Sequence, residues 1–173
     1  MHSTVRTANL LGATALAVSD AALAAVAQAA GASTSGAAAL VVLMSSPGLS
    51  ATELGRRIGL SQPAAARMVD SLQVAGLVER RRGSGREVCV APTAAGKQAA
   101  SRLLVARGRP LHDLVAVLAP DEQRALADLM AKLLVRLYAD VGSSELLCRL
   151  CDRAGCTTNA TCPVGQAERD QQG

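Results

Sequence analysis

Cys148, Cys151, Cys156 and Cys162 stand within fifteen residues in the spacing C-x2-C-x4-C-x5-C, with Pro163 directly after the last. Four thiolates suit tetrahedral Zn²⁺ or an iron–sulfur cluster. Gly155, Thr157, Thr158 and Asn159 lie between them and can form the turns that bring separate sulfurs together. Arg149 and Arg153 flank the cysteines and would offset thiolate charge. A metal centre at these four positions is the expectation, with an iron–sulfur cluster preferred to zinc. Two other readings stay open: a metal-free disulfide switch and a tail without function. The fifth cysteine, Cys89, alternates with Val88 and Val90 and is expected to be a small buried apolar side chain.

The elements that carry these thiols follow from composition and periodicity. The 173 residues are half apolar, with one tyrosine and no phenylalanine or tryptophan. Alanine supplies much of that apolar half, which favours close-packed helices over strands. The net charge of +4 is not spread evenly. Residues 48–97 hold eight basic and four acidic residues, and the rest of the chain is close to neutral. That window is the candidate for meeting a polyanion. Asn9 to Gly31 is weakly apolar, but Asp20 near its centre would cost roughly 2.5–3.5 kcal/mol in a bilayer. Leu11 and Val18, and Leu16 and Leu23, are spaced by heptads, as in a helix packed on other helices. The expectation is a cytoplasmic protein with no membrane partner, in which clustered cysteines do metal or redox work rather than structural bridging.

Along the chain, Ser35–Ser46 reads as a helix stopped by Pro47-Gly48. Ser50-Ala51-Thr52-Glu53 has the capping-box pattern. Leu54 and Ile58 share one face, and Gly59 ends that helix. Ser61 offers the next cap, with Pro63 in the first turn. Ala65, Met68, Val69 and Leu72 then form an apolar stripe that Gly76 closes. Two short helices joined by a glycine-bearing turn are a helix-turn-helix. Leu77-Val78-Glu79 and Glu87-Val88-Cys89-Val90 read as strands around the basic tip Arg80-Arg81-Arg82-Gly83-Ser84-Gly85-Arg86, which makes a wing. Thr93 caps a further helix, in which Pro110 is expected to cause a kink or a split. Pro120-Asp121-Glu122 opens the last long helix. Its Leu126, Leu129, Met130, Leu133, Leu134 and Leu137 form the cleanest amphipathic stripe in the chain. Gly142-Ser143-Ser144 ends it, and Ser144 is expected to cap a short helix through Leu150.

In "LSATELGRRIGLSQPAAARMVDSLQVAGLVERR", in Thr93-x-x-Gly96 and in "LAPDEQRALADLMAKLL", the sequence resembles the MarR family of bacterial winged-helix regulators. The resemblance spans roughly residues 8–140. It implies a mainly α fold: a winged helix-turn-helix with a two-stranded wing and long N- and C-terminal dimerisation helices. It also implies a homodimer that straddles a palindromic operator. The family's wing usually carries an Asp-x-Arg pair; here that place reads Ser84-Gly85-Arg86, so Arg86 lacks a carboxylate partner. The family often binds aromatic small molecules between its dimerisation and DNA-binding parts, and this chain lacks aromatic side chains to stack on them. The cysteine spacing is also similar to the C-terminal [2Fe–2S] loop of MerR-type redox sensors, whose second gap is shorter.

The organisation expected is N-terminal helices for dimerisation and support (1–47), the DNA-binding winged helix-turn-helix (48–97), C-terminal dimerisation helices (98–141) and a cysteine-rich segment (142–173). The exposed start of the second helix of the pair should enter the major groove. Ser61, Gln62, Pro63, Ala64, Ala65 and Arg67 lie there; Gln62 suits adenine and Arg67 guanine or phosphate. Arg80, Arg81, Arg82 and Arg86 suit phosphates and the minor groove. No nucleophile motif, phosphate loop or H-E-x-x-H is present, so no enzyme is expected. The function expected is transcriptional regulation, in the sense of a repressor, with a redox or metal response through the four cysteines. The alternatives are a small-molecule-responsive regulator with structural zinc and a winged-helix module that binds another protein.

Overall fold

The structure is a computed structural model that describes residues 4–30, 33–83 and 88–172. The chain begins with α1 (Thr4–Ala30) and α2 (Thr34–Ser45), followed by α3 (Ala51–Ile58) and α4 (Gln62–Val74). The hairpin β1 (Val78–Arg82) and β2 (Val88–Pro92) comes next, then α5 (Ala94–Val115), α6 (Pro120–Val141), α7 (Ser144–Leu147), α8 (Arg153–Thr157) and α9 (Pro163–Gln172).

α2 is the centre of the core. Ser33 Oγ accepts from the Gly36 N–H at 3.2 Å, which satisfies one of the free donors of the first turn. Every residue from Gly36 to Leu43 is buried. Leu40 and Leu43 pack with Val26 of α1, Leu54 of α3, Val69 of α4, Val78 and Val90 of the hairpin and Leu103 of α5. α1 lies along α5 and buries Ala22 and Val26, while most of its other side chains face outward. By length and composition Thr4–Ala29 is apolar enough to cross a membrane. Its packing on α5 gives it a place within the fold.

The helix-turn-helix forms where its sequence signals lie. Ser50 Oγ accepts from the Glu53 N–H at 3.2 Å. Gly59 ends α3 in the left-handed conformation (φ 78°), which a side chain would strain. Glu53 does not close the expected capping box: its carboxylate accepts instead from Arg56 and Arg57, at 2.8 Å each. Two guanidiniums one turn ahead hold it better than one backbone donor behind it. Ser61 stands at the start of α4 with cap dihedrals but makes no side-chain cap bond. The hairpin is antiparallel, with Val78 opposite Pro92 and Arg80 opposite Val90.

Three further expectations are corrected. α5 runs unbroken through Pro110, so the one missing backbone donor does not split a helix of this length that is supported along α1. α7 is capped by Ser143, whose Oγ accepts from the Leu146 N–H at 3.2 Å; Ser144 instead turns inward to Glu168. The short helix ends at Leu147, before the first clustered cysteine, and Cys148 to Leu150 continue as a turn. As expected, α6 opens with Glu122, which accepts from the Ala119 N–H at 2.8 Å, and ends at Gly142.

Candidate nucleic-acid interface and the C-terminal thiols

α4 is held by its apolar stripe: Ala65, Met68, Val69 and Leu72 are all buried. Its opposite face is left to solvent, where Ser61, Gln62, Pro63 and Arg67 are exposed and Ala64 is half-buried. Ala65 is a correction to the expected contact set. It is fully buried against α3, and a β-carbon added to Gly55 would stand 2.5 Å from the Ala65 Cβ. That close helix crossing leaves Ala65 no path to a ligand.

The hairpin's arginines divide into two kinds. Arg80 folds back on α4, donating to Asp70 Oδ1 at 2.6 Å and to Gln73 Oε1. It therefore fixes the hairpin's angle to the recognition helix. Arg81 pairs with Glu79 of its own strand. Arg82 and Arg67 make no ion pair among the described residues and stay exposed. Arg86 lies outside the described residues. Cys89 is half-buried rather than buried, and its thiol contacts the Arg81 carbonyl at 3.4 Å. The two-residue alternation of the strand sends Val90, not Cys89, into the core.

A second surface is apolar. Leu129, Met130, Leu133 and Leu137 of α6 are exposed, as are Leu10, Leu11, Leu16 and Leu23 of α1. Four of the six stripe positions of α6 are thus open to solvent within one chain, while Leu126 and Leu134 are half-buried.

The C-terminal segment packs α7 and α9 against α6. Val164 is fully buried, and the Ser144 hydroxyl lies 2.7 Å from both oxygens of Glu168. Cys148, Cys151, Cys156 and Cys162 line one cavity with Ser144, Arg153, Glu168 and Arg169. Cys151 sits between the Cys148 and Cys156 thiols. The bond from Cys151 holds the Cys148 thiol below the usual cysteine value, and the same bond, with burial, pushes Cys151 up. Burial pushes Cys156 up to about 11. Cys162 directly precedes α9: its carbonyl accepts from the Gln166 N–H at 2.9 Å and its Sγ from the Gly165 N–H at 3.4 Å. Among the described residues, however, no three His, Cys, Asp or Glu side chains are grouped to hold one ion. The four thiols share a cavity without forming a closed ligand set.

Sequence reasoning missed one charge here. Arg107 of α5 faces Cys151 and favours its thiolate. Arg149 instead donates to the Leu146 carbonyl at 2.6 Å. Only the folded chain, which sets Arg107 and the cysteines around one cavity, reveals this, since Arg107 is far from them in sequence.

Residues 22–87 match the sequence model of the MarR family. The matched stretch is a MarR-family segment. Among solved structures the chain is similar to the YusO protein of Bacillus subtilis (20% identity, TM-score 0.66), over 77% of this chain and 96% of that one. It is also similar to the Mycobacterium tuberculosis MarR family protein Rv2887 in complex with DNA (25% identity, TM-score 0.60), over 73% of this chain and 95% of that one. The same mycobacterial protein in complex with salicylic acid matches at 28% identity and TM-score 0.56, over 72% and 93%. No curated protein matches the chain in sequence. The MarR fold accounts for the winged helix-turn-helix; the matched family segment ends before the cysteines.

Proposed function

We propose that this protein is a homodimeric, cytoplasmic transcriptional repressor of the MarR family that binds a palindromic duplex operator and responds to redox state or metal through Cys148, Cys151, Cys156 and Cys162. The observation that carries the DNA reading is the free face of α4. Gln62 and Arg67 are exposed at the start of a helix whose other face is locked into the core, and Arg82 stands exposed on the adjoining hairpin. An arginine and a glutamine at a helix start are the side chains that read guanine and adenine edges in a major groove. The neighbouring Rv2887, solved with DNA, supports the same use of the fold.

Dimerisation supplies the second half-site reader. The exposed leucines of α1 and α6 need cover, and two recognition helices must sit about 34–36 Å apart to reach successive turns of one groove face. Ser61, Pro63 and Ala64 allow close backbone approach, while Arg81, Arg82 and Arg86 serve phosphates. The cysteines are the responsive element: an iron–sulfur cluster or zinc would take the four thiolates as ligands. Rv2887's complex with salicylic acid favours a second reading, a small-molecule effector with zinc as a structural staple.

Selection from a random duplex pool with the full-length protein, purified without oxygen, tests the DNA reading. An enriched inverted repeat with half-sites about one helical turn apart is expected. Failure to enrich any sequence would overturn it. Iron, sulfide and zinc analysis on the same preparation, repeated after Cys→Ser changes at the four positions, tests the metal reading; metal content indifferent to those changes would overturn that part.

A further inference from the structure

The cysteine tail touches the DNA-binding unit directly. Glu145 of α7 reaches α3, with its Oε1 3.7 Å from Arg56 Nη2 and 3.8 Å from Arg57 Nε. Glu53 holds the same two guanidiniums from the other side at 2.8 Å. Arg57 extends further, donating to Ser46 Oγ at 3.2 Å. The next residue, Leu146, packs over Gly59, where an added methyl would stand 3.0 Å from Leu146 Cδ1. Gly59 lies in the turn that leads into the recognition helix. One small cavity joins both ends of this contact: Arg57 and Glu145 line it together with Cys148, Cys151 and Arg153.

α7 is a single turn, and the residues after it are tightly tied. The Cys151 N–H donates to the Cys148 carbonyl at 2.9 Å, so the two cysteines form one compact turn immediately behind Leu147. The Cys148 N–H bonds back to the Ser144 carbonyl at 3.0 Å. Four thiols that line a cavity without a ligand set for an ion must be drawn closer if they are to ligate one. Such a movement of the Cys148–Cys151 turn cannot leave Glu145 and Leu146, three and two residues before it, where they are.

We propose that α7 is a clasp: ligation of the cysteine turn repositions Glu145 and Leu146 on α3 and the Gly59 turn, and this contact carries the state of the thiols to the recognition helix of the same chain. Glu145 and Leu146 are positioning residues that touch neither DNA nor the bound ion. The proposal rests on the thiol-sensing reading above and specifies its route. A route through the dimer arms would need no contact between α7 and α3. The clasp also gives ligation a differential effect on two conformations, which any coupling requires.

The test uses the full-length, reduced, metal-free protein, its selected duplex, and Cd²⁺ as probe. Thiolate-to-cadmium absorption reports ligation and fluorescence anisotropy reports DNA affinity. In the wild type, Cd²⁺ is expected to change affinity at least fivefold. Glu145→Gln and Leu146→Ala, without Cd²⁺, are expected to shift affinity in the same direction. In both variants Cd²⁺ then adds less than twofold, with the absorption band unchanged. A wild type that ligates Cd²⁺ without any change in affinity, or that shows no band, overturns the sensing reading and the clasp with it. A wild-type shift that persists undiminished in both variants overturns the clasp and leaves the sensing reading standing.

Discussion

Replacing Gly96 by alanine should damage this fold more than its chemistry suggests. Gly96 lies in the first turn of α5, where Thr93 Oγ accepts from its N–H at 3.0 Å. The Thr93 hydroxyl also lies 2.7 Å from the Gly76 carbonyl and 3.2 Å from that of Leu77. The Thr93 N–H donates to the same Leu77 carbonyl at 3.1 Å. One residue thus binds the start of α5 to the turn between recognition helix and hairpin. An alanine Cβ at position 96 would stand 1.9 Å from the Leu77 oxygen and 3.0 Å from its carbonyl carbon. Both are backbone atoms, so no rotamer change relieves the overlap. Alanine in a helix gains about 0.5–1 kcal/mol over glycine. Moving α5 away forfeits the Thr93 cap, about 1 kcal/mol, and its bonds to the Gly76–Leu77 turn, about 1 kcal/mol each. Keeping α5 in place costs about 1–3 kcal/mol in overpacking. The net expectation is a loss of about 2 kcal/mol. Urea unfolding followed by circular dichroism, at matched protein concentration, should show a midpoint lower by about 1 M with an unchanged slope. Gly12→Ala is the control, since a Cβ there meets nothing within 4 Å; it should be neutral or slightly stabilising. A Gly96→Ala midpoint within about 0.5 kcal/mol of the wild type would refute the reasoning.

Leu133→Asp combined with Leu137→Asp should convert the proposed dimer to monomers. The two side chains are 40% and 49% exposed, so burying what remains is worth about 1 kcal/mol each per copy, or on the order of a thousandfold in dissociation constant; light scattering that still finds a dimer at micromolar concentration would place the interface elsewhere. Hydrogen bonds from Arg56 and Arg57 hold the Glu53 carboxyl at about 2, against 4.5 for the free group. Its contribution is therefore complete above about pH 4.5 and is lost as pH falls towards 2. At this partly exposed site it is worth at most about 1 kcal/mol. Glu53→Gln should remove that part of the acid sensitivity, and identical pH profiles of the two proteins would count against the pairing. Arg80→Ala should lower stability by up to about 1 kcal/mol, because it frees the hairpin from Asp70 and Gln73. Arg82→Ala should leave unfolding unchanged and flatten the salt dependence of DNA binding by about one phosphate contact. The reverse assignment of these two effects would contradict the division between a strut and a DNA-facing arginine.

Local signals in the sequence located most of the DNA-binding unit. Ser50, Gly59, Gly76 and Thr93 act at short range, through a cap bond or a backbone conformation only glycine adopts easily, so each could be read without knowing what lay across the core. The apolar stripe already put Ala65 on the buried face of α4, against its place in the expected contact set. The Arg80 strut was not legible, because it depends on Asp70 and Gln73 in another element. The stripe on α6 was correctly read as amphipathic. Periodicity could not say whether its apolar face meets the same chain or another. The cysteine spacing singled out the tail but gave no hint of Glu145 on α3 or of Arg107 beside Cys151, since both contacts exist only once the tail folds back over the molecule.

In the proposed function, the exposed start of α4 and the adjoining hairpin grip duplex DNA. A salt titration of duplex binding by fluorescence anisotropy tests it most directly, with the wild type and the Arg67→Ala and Arg82→Ala variants side by side. A log–log slope of several units is expected for the wild type, since phosphate contacts each release about 0.9 counterion. A shallower slope is expected with Arg82→Ala, and with Arg67→Ala a loss of affinity for the selected sequence greater than for unrelated DNA. Binding indifferent to salt, or unchanged in both variants, would contradict the claim.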